Sequence, residues 1–172
     1  ANDGFAGTAV LIEIMKYIST IKPYYSYRLI IAPEHLGSVF YLKSLKKRDL
    51  SKILFGIFEE MPGTKGKMRV TKTFQGDNFI DSAFSNTLKF YFPKSHIISG
   101  WREGAGNDET VWESPGYEIP FVELTRCEST FKPYKEYHSS LDKPELMSLK
   151  KMNEIILLLK KIIYVIENNY VV

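Results

Sequence analysis

Apolar residues recur at three- and four-residue intervals in four stretches of the chain, residues 4–21, 37–46, 78–92 and 148–168. This spacing gathers them on one face of an α-helix and leaves the polar residues on the other. The pattern therefore predicts four helices that each bury one face. Ser148 is the predicted N-cap of the last helix, because its hydroxyl can accept a hydrogen bond from the first turn.

Short runs of β-branched, aromatic and other apolar residues separate these helices and predict strands. The predicted strands span residues 25–32, 53–58, 68–73, 97–98 and 120–124, with 68–73 at a sheet edge. Residues 100–116 contain four glycines and both tryptophans and predict a long loop or a loop with one helical turn. Helices that alternate with short strands are typical of an α/β domain with a largely parallel, mixed sheet.

The length and composition restrict the kinds of site and partner. A chain of 172 residues is long enough for one well-filled domain. With 23 Lys and Arg against 20 Asp and Glu, the net charge of +3 is too small and dispersed for a nucleic-acid surface. Cys127 is the only cysteine, which excludes an intrachain disulfide and a thiolate zinc cluster. Any bound metal would need oxygen and imidazole ligands.

The sequence predicts no membrane partner. The apolar run 155–166 is interrupted by Lys160 and Lys161 and is shorter than the ~20 residues that span a bilayer. No secretory signal pattern opens residues 1–8. We therefore expect a cytoplasmic protein, with self-association into a homo-oligomer left open.

Candidate chemistry comes from acidic residues and one histidine. Glu34, Glu59 and Glu60 follow predicted strands, as does the loop before His138, and the carboxyl ends of strands in such sheets gather ligands. Asp3, Glu34 and His138 are the residue types that a hydrolytic zinc site needs. Taken singly, each also has an ordinary explanation, as a helix cap, a solvent-exposed loop residue or a surface residue.

Several short motifs, taken in order, resemble those of the zinc aminopeptidases. The motifs are Asn-Asp-Gly-x-x-Gly at 2–7, Glu-x-x-Gly-Ser at 34–38, Asn-Asp-Glu at 107–109, Gly-x-x-Ile-Pro at 116–120 and Tyr-His-Ser-x-x-Asp at 137–142. The likeness is greatest to bacterial aminopeptidase-like proteins of uncharacterised substrate. They share Ala-Asn-Asp, Ala-Pro-Glu-x-x-Gly-Ser and Glu-Tyr-His-x-Ser-Leu-Asp, which stand here at 1–3, 32–38 and 136–142.

This resemblance implies a three-layer zinc-peptidase fold of the phosphorylase/hydrolase-like type, with one or two zinc ions as cofactor. It implies Asp3 as a ligand, bridging if two ions bind, and His138 as a ligand from the far side of the site. Glu60 stands in the place of the family's middle carboxylate ligand. The family's first histidine ligand precedes the aspartate, so residues 1–172 are expected to be the C-terminal portion of a single domain, incomplete at its amino end.

The sequence departs from the family at the general base. The family has two consecutive glutamates, a base followed by a ligand, whereas this chain has Pro33-Glu34-His35. Two assignments stay open. Glu34 lies in the metal shell and proline has replaced the base, or Glu34 is the catalytic base and His35 is a ligand.

A second group of residues is expected around the metal or the substrate. Asp108 matches an aspartate that supports the family's site, and Glu109 stands where the family usually has histidine. Asp142 is expected near His138, because ligating histidines usually need a partner for the other ring nitrogen. Other candidates for contact with a substrate are Tyr137, Arg126, Arg102, Trp101, Trp112 and Tyr117; the aromatic residues of the loop are equally compatible with ordinary packing.

The expected function is hydrolysis of a peptide or amide bond by metal-activated water, most simply as an aminopeptidase. Two alternatives stay open. A catalytically inactive peptidase-like domain that binds a peptide or glycan would explain the missing tandem glutamate. A zinc acyltransferase of the glutaminyl-cyclase type would need one metal and a pocket for the cyclising residue.

Overall fold

Helices and strands alternate along the chain in the computed structural model, which describes residues 1–104, 106–127 and 132–169. An irregular turn, Asn2–Ala6, leads into the first helix. The helices are α1 Gly7–Ser19, α2 Leu36–Ser44, α3 Lys47–Leu50, α4 Phe79–Tyr91, α5 Glu109–Trp112 and α6 Leu149–Asn168. The strands are β1 Gly56–Glu59, β2 Lys67–Thr71, β3 His96–Ser99 and β4 Phe121–Cys127.

The four strands form one sheet in the order β1-β4-β2-β3. The pairs β1–β4 and β2–β3 are parallel, while β2 and β4 are antiparallel. This confirms the predicted α/β class with a largely parallel, mixed sheet. The predicted edge position of residues 68–73 was wrong, because β2 lies between two strands and is buried from Met68 to Thr71.

Residues 25–32 are not a strand, contrary to the prediction. They have no regular secondary structure, and within the described part of the chain they pair with no strand of the sheet. From Ile21 to Arg28 the side chains alternate between half-buried and exposed. Aromatic and β-branched residues favour an extended backbone, but a strand also needs a neighbour for its hydrogen bonds.

Helices cover both faces of the sheet and make three layers. On one face α1, α4 and α6 pack over the apolar side chains of β2 and β4, among them Val70 and Leu124, to form the larger core. On the other face a smaller cluster joins α2 to α5 through Leu42 and Trp112. Side chains alternate along a strand, so Glu123 points away from the larger core.

Periodicity located the helices well. The predicted helices at 4–21, 37–46, 78–92 and 148–168 correspond to α1, α2, α4 and α6, and the one helical turn expected within 100–116 is α5; residue 105 of that loop lies outside the described residues. Ser148 caps α6 as predicted, since its hydroxyl accepts a hydrogen bond from the amide of Lys151. Asn78 caps α4 in a reciprocal capping box with Asp81.

The closing helix α6 is the longest, with 20 residues, and buries one face in the larger core. Lysines flank this face: Lys160 lies over the ring of Tyr17 in α1, and Lys161 lies over the ring of Tyr91 in α4. Judged over the part of the chain that the structure describes, none of the helices combines the length and apolar character needed to cross a bilayer.

Two adjacent leucines of α6 test how much this helix contributes to stability. Leu158 is fully buried, whereas Leu157 is 46% exposed. We expect Leu158→Ala to lower the free energy of unfolding by about 2–5 kcal/mol, because it leaves a cavity in the core. The matched change Leu157→Ala is expected to stay within about 0.5 kcal/mol of the wild type. Urea denaturation measures both, and equal losses would contradict this packing of α6.

Candidate metal site

Asp3 and His138 are brought together from the two ends of the chain. The Nε2 atom of His138 lies 3.5 Å from Oδ2 of Asp3. The Asp3 side chain is 27% exposed and that of His138 is 69% exposed. The two residues expected to be ligands from opposite sides of one site are therefore neighbours, and the imidazole is open to solvent.

Asp142 holds the backbone that carries Asp3. Its carboxylate accepts hydrogen bonds from the amides of Asn2 at 3.0 Å and of Asp3 at 3.2 Å. Burial acts to raise the pKa of Asp142, but the hydrogen bonds that its carboxylate accepts, among them those from these two amides, lower it below its ordinary value. Asp142 thus supports Asp3 through the main chain. The ring of His138 instead stacks on Tyr137, with the ring centres 3.8 Å apart.

Glu59 and Glu60 lie at the carboxyl end of β1 and are buried. Glu60 is 4% exposed, and its Oε2 accepts a weak hydrogen bond of 3.4 Å from the amide group of Asn107. No residue that the structure describes donates to its Oε1. Burial, together with the negative charges of Glu123, Asp3 and other carboxylates, raises the pKa of Glu60 to about 9.

Glu59 is equally buried but faces a different neighbour. Burial raises its pKa to about 8, and the positive charge of Arg126 opposes the increase. The carbonyl oxygen of Glu59 also lies against α1, where a Cβ at Gly7 would stand 2.5 Å from it. The first turn of α1 therefore needs glycine to approach the end of β1.

Glu34 is an exposed residue on the loop before α2, and its charge reaches the same site. Burial raises the pKa of Asp3, His138 lowers it, and the carboxylates of Asp142 and Glu34 raise it. The charge of Glu34 also contributes to the raised pKa of Tyr137, after burial, Asp3 and Glu60. Glu34, Glu60, Asp3 and Tyr137 consequently share one electrostatic environment.

Asp108 fastens the loop that carries Glu34. Its carboxylate accepts hydrogen bonds from the Ser38 hydroxyl and, at 3.2 Å, from the His35 amide. His35 has a positive φ of 54°, so the backbone turns sharply directly after Glu34. The supporting role that the resemblance implies for Asp108 stays a prediction. The His35 side chain itself is exposed.

A second layer of carboxylates lies behind Glu60. Burial and, to a smaller extent, the charge of Glu123 raise the pKa of Glu109 to about 7, although hydrogen bonds from backbone amides oppose the increase. Glu123 is fully buried and pairs with Arg69 at 2.9 Å. Gly104 closes over this pair, since a Cβ there would stand 1.9 Å from Oε2 of Glu123. Glu123 was not singled out from the sequence. Its position inside an otherwise apolar predicted strand could have indicated a buried acidic residue.

Arg126 is enclosed in the interior, which removes the basis for its predicted contact with a substrate. Its side chain is fully buried. It donates hydrogen bonds to the carbonyls of Gly66 and Lys151 and to Glu154. These bonds join the sheet to α6.

The two tryptophans of the 100–116 loop have different surroundings. Trp112 is buried in the smaller core and donates a hydrogen bond to the Ser38 hydroxyl at 3.0 Å. Trp101 is 43% exposed, with Arg102 over its ring and its indole N–H bonded to Glu113. Tyr117 packs on the smaller core. Ordinary packing therefore explains the aromatic side chains of Trp112 and Tyr117. The ring of Trp101 is exposed enough for contact with a ligand to stay open.

The side chains described at this site have the atom types that bind zinc, but only two of them lie next to each other. Imidazole nitrogen and carboxylate oxygen are ordinary zinc ligands, and Asp3 and His138 present one of each side by side. The buried, unbonded oxygen of Glu60 is a further donor of the right type. Across residues 1–104, 106–127 and 132–169, however, no three His, Cys, Asp or Glu residues stand close enough to enclose a metal ion.

Comparison with known proteins identifies the family. Residues 1–169 match a domain of unknown function, DUF4910. The chain belongs to the DUF4910 family. A Clostridium acetobutylicum protein, described as a candidate polysaccharide biosynthesis protein with an aminopeptidase-like domain, is 30% identical over 170 residues. That match covers 98% of this chain and 37% of the relative.

Solved structures show which fold this DUF4910 chain has. A crystal structure of a candidate peptidase from Clostridium acetobutylicum superposes with a TM-score of 0.89 at 29% identity, over 98% of this chain and 39% of that one. The zinc aminopeptidase BSAP from Bacillus subtilis gives 0.81 at 18% identity, over 95% and 41%. The fold is that of the zinc aminopeptidases, as the motifs implied. The chain spans about two-fifths of the length of these relatives.

The buried Glu60 should make the stability of the metal-free protein depend on pH. Its pKa rises from 4.5 to about 9 on folding, so the folded state holds a proton that the unfolded state releases. This contribution to stability is complete below about pH 4.5 and is lost as the pH rises toward about 9. We expect the free energy of unfolding, measured in urea with a chelator present, to fall over this range.

Glu60→Gln should weaken this dependence, because glutamine cannot ionise. Glu59 and Glu109 also have raised pKa values, so some decrease with pH would remain in the variant. Glu145→Gln, at an exposed position, is the matched control and should keep the wild-type slope. Equal slopes for the wild type and Glu60→Gln would contradict the raised pKa of Glu60.

Proposed function

We propose that this chain forms part of a zinc-dependent peptidase, of the aminopeptidase type, that hydrolyses a peptide or amide bond. The observation that carries the proposal is the 3.5 Å approach of Asp3 to His138, beside buried carboxylates, in an aminopeptidase fold. The reaction adds water across the bond. The water oxygen joins the carbonyl carbon, the carbon–nitrogen bond breaks, and the amine leaves with a proton.

Asp3, His138, Glu34 and Glu60 are the proposed zinc ligands. Zinc would polarise the carbonyl and lower the pKa of water toward ~7. We propose that Glu34 binds the zinc ion directly. Asp108 holds the loop that carries it by hydrogen bonds to His35 and Ser38. If zinc binds without Glu34, its exposed carboxylate is the group available to accept the proton of the attacking water.

Tyr137 is proposed to contact the substrate. Burial raises the pKa of its phenol, and the nearby carboxylates of Asp3, Glu60 and Glu34 raise it further. The phenol therefore stays protonated at neutral pH and can donate a hydrogen bond to an oxygen of the bound substrate. Stacking against the imidazole of His138 fixes the plane of the ring.

The proposal concerns the whole protein, because the chain spans about two-fifths of its relatives. We propose that residues 1–172 are the C-terminal portion of one zinc aminopeptidase-like domain and that the remaining ligand comes from another part of the polypeptide. Two donors side by side among the described residues are consistent with a site completed in this way.

A catalytically inactive binding domain is the second candidate. It is favoured by Pro33 at the place of the family's base and by the lack of a third close donor within the described ranges. The description of one relative as a candidate polysaccharide biosynthesis protein gives a glycan as the ligand class for this candidate. A zinc acyltransferase of the glutaminyl-cyclase type is the third candidate. Its substrate would be a peptide with an N-terminal glutaminyl residue, which it would cyclise.

The activity itself distinguishes these candidates. We expect the full-length protein, loaded with zinc, to release the amine from aminoacyl anilides, to lose activity with a chelator and to regain it with zinc. Glutaminyl peptides should not cyclise. No hydrolysis by the zinc-loaded protein would overturn the peptidase proposal in favour of the binding domain, and pyroglutamate formation would favour the acyltransferase.

The zinc content of variants tests the proposed ligands. We expect Asp3→Ala and His138→Ala in the full-length protein to retain well under half of the wild-type zinc, because each removes a ligand. Asp77→Ala, at an exposed position, and His96→Ala, whose ring bonds to the Phe92 carbonyl, are matched controls that should keep the wild-type content. Metal analysis after gel filtration gives the readout. An unchanged zinc content in both Asp3→Ala and His138→Ala would contradict the proposed site.

A further inference from the structure

Asn2 is a fully buried polar residue directly before Asp3. Its side-chain Oδ1 accepts a hydrogen bond of 2.8 Å from the amide of Gly63. Gly63 lies in the turn that follows β1 and Glu60, far from Asn2 in the sequence. The side chain of Asn2 therefore joins the turn that carries Asp3 to the turn after Glu60.

Gly63 is closely surrounded by Asn2, Met147 and Ser148. Its carbonyl accepts a hydrogen bond of 2.8 Å from the amide of Ser148, at the start of α6. A Cβ at this position would stand 2.8 Å from Oδ1 of Asn2 and 2.9 Å from Cγ of Met147. Only glycine lets these groups approach so closely. Asn2 is thus bonded to a peptide that is itself fixed to the core.

The main chain of Asn2 is held from the other side. Its amide donates to Oδ1 of Asp142 at 3.0 Å, in the loop that follows His138. One residue therefore contacts both the segment that carries Glu60 and the segment that carries His138. Asp3 is the next residue in the chain.

We propose that Asn2 is a positioning residue that sets the place of Asp3 relative to Glu60 and His138. This inference rests on the proposed zinc site. Without the Asn2 side chain, the buried amide of Gly63 loses its acceptor, which is costly enough to displace the turn. Hydrogen-bond partners behind metal ligands typically change metal affinity by about 10–100-fold when they are removed.

The test compares two asparagines. Asn78→Ala removes the capping box of α4 and should lower stability without touching the site. We expect Asn2→Ala in the full-length protein to weaken zinc binding by about tenfold or more, measured by competition with a chromogenic chelator. Asn78→Ala should bind zinc as tightly as the wild type, although both variants lower the Tm of the metal-free protein.

Two further variants separate the hydrogen bond from side-chain volume. Asn2→Asp keeps an acceptor oxygen for the Gly63 amide and should bind zinc more tightly than Asn2→Ala. Asn2→Leu keeps similar volume without an acceptor and should be as weak as Asn2→Ala. If every folded Asn2 variant matches Asn78→Ala in zinc affinity, Asn2 is only structural and the inference is overturned. If the wild type itself binds no zinc, the proposed function fails with it.

Discussion

The burial of several carboxylates behind one end of β1 is the constraint on which this structure depends. An ionised carboxylate in the interior must be paired, hydrogen-bonded or protonated. Arg69 pairs with Glu123, and the charge of Arg126 acts on Glu59. Burial raises the pKa of Glu60 most, and the nearest charges are other carboxylates that add to the increase, so the pKa reaches about 9. A cation bound beside Glu60 would remove this penalty.

The rest of the site is built so that the exposed groups face this buried layer. His138 and Glu34 lie on loops open to solvent, whereas Asp3 is partly covered. Each loop is tied to the body of the protein by hydrogen bonds to its backbone. Asp108 holds the loop of Glu34, and Asp142 holds the turn of Asp3. The side chains of His138 and Glu34 are therefore open to solvent, while hydrogen bonds hold the backbone of the Glu34 loop and of the Asp3 turn.

Sequence reasoning succeeded where the determining interactions are local. Helical periodicity and the Ser148 cap act within one or two turns, so α1, α2, α4 and α6 were predicted close to their true bounds. The order of strands depends on contacts distant in sequence, which is why β2 was misplaced at an edge. Residues 25–32 have the composition of a strand but no partner in the described sheet.

At the candidate site, too, local sequence patterns were informative and contacts between distant segments were not predicted by them. No periodicity relates Asp3 to His138; their proximity was expected only because the order of short motifs resembled a known family. Arg126 was misjudged because its exposure depends on how α6 packs. Asn2 passed unnoticed as a site residue, since its importance lies in a single bond to Gly63 that only the folded chain reveals.

The fold and the chemistry of this chain rest on different observations. Likeness to a zinc aminopeptidase at 18% identity shows that the backbone follows the same path, and one fold supports many functions. The chemistry depends on whether donors on separate segments reach one ion. The hydrogen bonds that join Asn2, Gly63 and Asp142 fix the backbone of three of those segments through contacts within the chain itself. Such preorganisation limits the rearrangement that accompanies metal binding, so most of the binding energy would remain available as affinity.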